Sequence, residues 1–372
     1  MSYAAQSREL DAEILRIVDA WHHHGRSVDA DEFDELALRI FAYQLEYNRP
    51  YARYCASLGF SSARLPQSWE AIPAVPADAF KDATLTTFDP ARSALAFETS
   101  GTTSGKGGRH YMETRALYDA ALLAGFDRFV LADQAQLRYL NLVPNPSERP
   151  ESSLGYMMQQ VSLHRGDGQT GWYLRGNDLL FDAFVADVEG AVNDARAVCI
   201  ATTAFALAHV LEEMERRGIA RLALPRGSRA METGGFKGRA RVVARDELYA
   251  RACERFDIPS EAIVAEYGMT ELTSQYYDDL RGAAPAQTVA ARRKAAPPWL
   301  RSRVVDPSGK PLPHGVVGAL VHVDLANRSS CVAVATEDLG VQFDDGLVVI
   351  GRDSGASLRG CSLDAETLAA RP

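Results

Sequence analysis

"AIVAEYGMTELTSQYY", Ala262–Tyr277, opens with a short apolar run and then sets an aromatic ring, a glycine, a hydroxyl and a carboxylate side by side. Apolar runs of this length bounded by turn residues read as buried strands. A strand ending in Tyr267, Gly268, Thr270 and Glu271 would present those groups at the carboxyl edge of a sheet, where open α/β sheets bind ligands. A nucleotide could use all of them. The same letters also read as a strand followed by a helix with Thr270 as its N-cap. Working outward, "LRYLNLV", "AVCIATT" and "AIVAEYG" alternate with the helix-like "LLFDAFVADVEGAV" and "ALAHVLEEMERRG", which predicts an α/β core with a largely parallel sheet. Before it, "SRELDAEILRIVDAW" and "DEFDELALRIFAYQLEYNRPYARYC" carry 3.6-residue apolar periodicity, so residues 1–93 read as a mostly helical lead-in. After Asp278, "AAPAQTVAARRKAAPP" reads as an exposed loop, and "GALVHVDLA", "CVAVATEDLG" and "LVVIGR" read as a β-rich closing segment.

Composition narrows the function classes. The chain has 372 residues, 47% hydrophobic and 24% charged, as an ordinary globular protein does. A formal net charge of -9 argues against a nucleic-acid or anionic-membrane surface, which needs clustered positive charge. No apolar run approaches the roughly 20 residues that cross a bilayer, and "MSYAAQSREL" lacks the basic start and apolar centre of a signal peptide, so the cytoplasm is the expected compartment. Cys55, Cys199, Cys253, Cys331 and Cys361 show no metal or disulfide spacing. His22, His23 and His24 fall where a helix should end, and there cationic side chains suit the carbonyl dipole.

A second stretch, "TSGTTSGKGGRHYM" (Thr99–Met112), is rich in glycine and hydroxyls and then sets out Lys106, Arg109 and His110. Such a turn can point N–H and O–H donors at a phosphate, because glycine allows an approach that a Cβ would block. The spacing is not that of a Walker A loop, and a flexible surface turn is the plainer alternative.

Together the two motifs, in this order and at this separation, resemble those of the adenylate-forming (ANL) superfamily of acyl-CoA synthetases, peptide-synthetase adenylation domains and luciferases. "TEDLG" and "GRDSGASLRG" resemble its ribose and hinge motifs, so the matches span Thr99 to Gly360. "METGGFKGR", "ATTAFALAHVLE" and "RGCSLDAE" look most like the LuxE-type acyl-protein synthetases, with the short adenylating enzymes of phenazine-type pathways as neighbours. The resemblance implies an α/β adenylation large domain over residues 1–350 (lead-in 1–93, nucleotide-binding core 94–278, closing segment 279–350), with mixed and parallel sheets layered with helices. It leaves residues 351–372 for a hinge and a remnant of the small C-terminal domain, which is essentially absent, so that domain's catalytic lysine has no counterpart.

Carried over residue by residue, the resemblance implies that ATP is bound with Thr99, Ser100, Gly101, Thr102 and Thr103 around its β and γ phosphates, helped by Lys106 or Arg109. Tyr267, followed by Gly268, would stack on adenine, with Gly234 and Gly235 at its edge. Thr270 would meet the α-phosphate, Glu271 would hold Mg2+, Asp338 would accept from the ribose hydroxyls and Arg352 would support it. Cys361, beside Arg359, matches the cysteine that takes the acyl group before a reductase or carrier partner; a tail residue without chemistry is the alternative. The acid, fatty or aryl, would sit near "ATTAFALAH" or "NPSERPESSLGYMMQQV", with Met157, Met158 and Phe205 as pocket or core. The implied activity is ATP-dependent formation of an acyl-adenylate with pyrophosphate release, then acyl transfer to a thiol or partner. Transfer to coenzyme A or an amine would share the first step, and a catalytically incompetent nucleotide-binding subunit of an acyl reductase is the contrasting reading. Oligomeric state is silent.

Overall fold

Polar caps set the ends of the N-terminal helices. Helix Tyr3–His24 stops at Gly25, whose φ of +65° is the left-handed conformation glycine adopts without strain, and His22 to His24 lie in the last turn as expected. Asp29 caps Ala30–Tyr47 by accepting from Glu32 N at 2.8 Å, and Asn48 breaks the long helical pattern by capping Arg49–Ser57. Regular helix then gives way earlier than the sequence suggests: from residue 58 to 93 the helical structure is the four-residue helix Ala79–Asp82 and two 3-10 turns.

The computed structural model describes residues 2–99, 107–133, 136–176, 178–234, 244–281, 286 and 288–352. The chain divides into two compact units, one of residues 1–124, 269–275 and 295–372 and the other of 125–268 and 276–294.

In the second unit, Gly166–Trp172, Leu137–Leu142, Val198–Thr203, Arg229–Thr233 and Ile263–Tyr267 run parallel in that order, and Tyr276–Asp278 pairs antiparallel with the last. The inner strands are buried along their length, as parallel strands covered by helices must be. Phe184 and Val188 from Phe181–Asn193, Leu207, Leu211 and Met214 from Ala204–Arg216, and Leu248 and Phe256 from Arg245–Phe256 pack against Leu140, Ile200 and Ile263. Thr203 starts the second of these helices by accepting from Ala206 N at 3.1 Å.

In the first unit, Leu300–Val305, Val317–Asp324, Ala333–Phe343 and Gly346–Arg352 form an antiparallel meander, and Val75–Pro76 pairs parallel with its third strand. Leu95–Glu98 pairs antiparallel with Arg109–Met112, so two strands flank the glycine-rich stretch. No helix among the described residues is long and apolar enough to cross a membrane.

The segment read as an exposed loop after Asp278 is partly internal. Lys294 is 5% exposed, its ammonium donates to Ala265 O at 3.1 Å and pairs with the Asp278 carboxylate, and Arg292 donates to Ile263 O at 2.8 Å. The basic run "ARRK" is drawn inward because a buried carboxylate needs a counter-charge.

Candidate functional site

The segment from Gly268 to Gln275 begins no helix, which removes the N-cap reading of Thr270. It makes tight turns instead, Leu272 N donating to Met269 O at 3.1 Å, so Thr270 and Glu271 stand on a loop after a buried strand. Thr270 is half-buried and Glu271 is 8% exposed.

In the first unit this loop is pinned from several directions. The Thr270 carbonyl accepts from His110 Nδ1 at 2.8 Å, and the Glu271 carbonyl accepts from Asn327 Nδ2 at 2.9 Å. Asp324 accepts from Thr273 N (3.0 Å), Ser274 N (2.8 Å) and Ser274 Oγ (2.9 Å), and Trp299 Nε1 donates to Ser274 Oγ at 2.9 Å. Burial raises the Asp324 pKa to about 6 against these hydrogen bonds, which favour the ionised form.

At the glycine-rich stretch, Thr99 N donates to Gly108 O and Gly108 N to Thr99 Oγ1, both at 2.8 Å. A Cβ on Gly108 would stand 2.7 Å from the Phe80 carbonyl carbon and 2.9 Å from Lys81 N, so only glycine fits against that backbone. Arg109 is exposed and ion-pairs with Glu98, its Nε 2.9 Å from Oε1. The other candidate phosphate-binding residues of the stretch, Ser100, Gly101, Thr102, Thr103 and Lys106, lie outside the described residues, as do Gly235 and Cys361. His110, quoted in the motif but given no role there, is 1% exposed, and burial lowers its pKa to about 4.

Asp338 and Arg352 are cross-strand partners in the backbone register of the last two strands. Asp338 N donates to Thr336 Oγ1 at 3.1 Å, which fixes its backbone.

In the second unit, Tyr267 packs at 5.7 Å against Tyr276 across the strand pair. Gly234 has φ +72° and open space where a Cβ would be. Arg245 braces this turn by donating to Gly234 O at 3.3 Å while it lies 3.4 Å from Glu232, which also accepts from Tyr249 OH at 3.0 Å. Met157 and Met158 are buried core residues, 2% and 0% exposed, whereas Phe205 is half-buried.

Sequence reasoning missed His110, Asp324 and Asn327. "DLANRSSC" offered a weak signal, because Asp and Asn three apart mark side-chain-capped turns.

Residues 27–367 match the family described as acyl-protein synthetase, LuxE. The chain belongs to that family. It is an ATP-dependent ligase that activates an acyl group and passes it on. A long-chain-fatty-acid–luciferin-component ligase from Vibrio harveyi is 25% identical over 341 residues, covering 87% of this chain and 84% of that protein. The enzyme of the same name from Aliivibrio fischeri is 22% identical, covering 83% and 78%. Among solved structures, 2-hydroxyisobutyryl-CoA ligase in complex with R3-HIB-AMP superposes with a TM-score of 0.63 at 13% identity, over 87% of this chain and 67% of that one. McyG A-PCP complexed with phenylalanyl-adenylate gives 0.50 at 19% identity, over 72% of this chain, which spans about half of it (48%). The fold is thus that of the adenylate-forming enzymes.

Proposed function

We propose that the protein condenses a long-chain fatty acid with ATP to an acyl-adenylate and then transfers the acyl group to the Cys361 thiol, from which a partner acyl reductase or carrier receives it. The observation that carries this reading is the Gly268–Gln275 loop, which holds Thr270 and Glu271 on a fixed, non-helical backbone in a chain of the LuxE family. The names of the two relatives, from Vibrio harveyi and Aliivibrio fischeri, support a long-chain fatty acid over an aryl acid.

In the first step a carboxylate oxygen of the acid attacks the α-phosphorus of ATP and the bond to pyrophosphate breaks. Charge builds on the α-phosphate and the leaving group, so the enzyme's work is positioning and electrostatic. Thr270 Oγ1 donates to the α-phosphate. Donors of Thr99, Ser100, Gly101, Thr102 and Thr103 hold the β and γ phosphates, with Lys106 or Arg109 as the cation. Arg109 serves there by exchanging its exposed Glu98 partner, a pair that solvent already weakens. Tyr267 stacks on adenine beside Gly234 and Gly235 and ahead of Gly268, and Asp338 with Arg352 takes the ribose. The Glu271 carboxylate, on the loop after the buried strand, would be the protein's oxygen ligand for Mg2+. That fits Mg2+, which commonly takes one or two carboxylates together with phosphate oxygens and water. When bound, Mg2+ supplies positive charge against the phosphates. In the second step the Cys361 sulfur attacks the acyl carbon, AMP leaves with the bonding electrons, and the thiol proton passes to solvent.

Pyrophosphate release in the presence of hydroxylamine, measured across fatty, aryl and amino acids, tests the first step. Release that depends on a long-chain acid is expected, and Glu271→Gln should lower it by about 100-fold or more. Release with every acid equally would overturn the substrate assignment. Intact-mass measurement of wild type and Cys361→Ser after incubation with ATP and the acid tests the second step; equal acylation of both removes Cys361 from the mechanism.

A further inference from the structure

Two successive peptide carbonyls, those of Thr270 and Glu271, are each held by a buried side-chain donor from a distant part of the chain. His110 reaches the first from the strand Arg109–Met112, which leaves the glycine-rich stretch. Asn327 reaches the second from the turn between Val317–Asp324 and Ala333–Phe343. That turn is itself anchored on the helical lead-in. Gln44 Nε2 donates to Asn327 O at 2.8 Å and its Oε1 accepts from Val332 N at 2.8 Å, while Asn48 Nδ2 donates to Ser330 O at 3.0 Å. Arg328, 1% exposed, pairs with Asp11 and Glu113, each at 2.7 Å. Mechanical continuity therefore runs from the N-terminal helices through this turn to the backbone that carries Thr270 and Glu271.

We infer that His110 is a positioning residue for adenylation: by donating from Nδ1 to the Thr270 carbonyl, and working against Asn327 on the next carbonyl, it fixes the loop from which the Thr270 hydroxyl and the Glu271 carboxylate act. The inference rests on the roles given to those two residues above. A carbonyl accepts only, so Nδ1 must carry the proton, and at neutral pH burial keeps the imidazole uncharged. His110 Nε2 has no hydrogen-bond partner among the described residues, so the ring's one polar contact there is the one that holds the loop. The Phe80 ring, 5.7 Å away and edge-on, fixes the plane of the imidazole. Displacement of a reacting group by about one ångström costs on the order of 100-fold in rate, whereas overall ATP affinity is spread over many contacts. Loss of the His110 bond therefore falls on kcat rather than on KM.

His110→Asn places an amide N–H near the position of Nδ1, His110→Gln places it nearer Nε2, and His110→Phe fills the space with no donor. Each is made in the full-length chain and assayed for acid-dependent pyrophosphate release and for thermal unfolding. We expect kcat to fall by about 10- to 100-fold in His110→Phe and His110→Gln with KM for ATP changed less than about threefold, and His110→Asn to recover most of the lost kcat. Equal kcat for the Asn and Phe variants, or loss of kcat only in variants that unfold at the assay temperature, would overturn the inference. Thr270→Val and Glu271→Gln separate the two levels. If they are inactive and His110→Phe is fully active, positioning by His110 is wrong and the site reading stands; if they are active, the site reading itself fails.

Discussion

His110 shows how burial decides what a residue does. In sequence it stands beside Arg109 as one more basic residue of a candidate phosphate stretch, but in the fold Arg109 points outward to Glu98 and His110 inward to Thr270 O. No local pattern separates those fates, because alternation along a four-residue strand leaves open which face meets the core. Burial also gives His110 a pH signature. Its pKa falls from an unfolded value near 6.5 to about 4, so the unfolded chain binds more protons between those values. The stabilisation is then fully present above pH 6.5 and is lost as pH falls toward 4, by up to about 3 kcal/mol. Asp324, raised to about 6, works in the opposite sense, losing stability as pH rises from about 4 to about 6, and buried His322, lowered to about 3, behaves as His110 does. Both remain in His110→Asn. Urea unfolding at pH 7 and pH 5 should therefore show a smaller drop for His110→Asn than for wild type, and an identical drop would contradict a buried, neutral His110.

Elements were legible wherever one residue period dominated. Val198–Thr203 and Ala204–Arg216 lie within a residue or two of "AVCIATT" and "ALAHVLEEMERRG", because an apolar run and an amphipathic stripe have few alternative solutions. Irregular segments were not, since their conformation is set by partners far along the chain. The stretch around Lys294 reads as solvated, yet the Asp278 carboxylate draws the ammonium inside. Lys294→Met should cost about 3–5 kcal/mol in urea unfolding, because among the described residues Arg292, 3.4 Å away, is then the charged partner left to Asp278. A loss below about 1 kcal/mol, the scale of exposed pairs, would show that the pair is effectively solvated. The hairpin around the glycine-rich stretch makes a second prediction. Gly108→Ala forces a Cβ into the Phe80 and Lys81 backbone and should destabilise by about 1–3 kcal/mol, with a lowered unfolding midpoint as the readout.

At the scale of the molecule, four short motifs spread from Thr99 to Gly360 pointed to the adenylate-forming fold, and the family match over residues 27–367 agrees with them. What those motifs left open was the purpose of the helical lead-in. Its residues Asp11, Gln44 and Asn48 hold the turn that carries Asp324, Asn327 and Arg328, which in turn holds the loop of Thr270 and Glu271. That relation spans more than 250 residues of sequence, beyond any local pattern. The most direct test of the account is acid-dependent exchange of labelled pyrophosphate into ATP by the full-length chain, because exchange requires that the adenylate form reversibly on the enzyme. Exchange with long-chain fatty acids, abolished in Glu271→Gln, is the predicted result. ATP binding without exchange for any acid would contradict it.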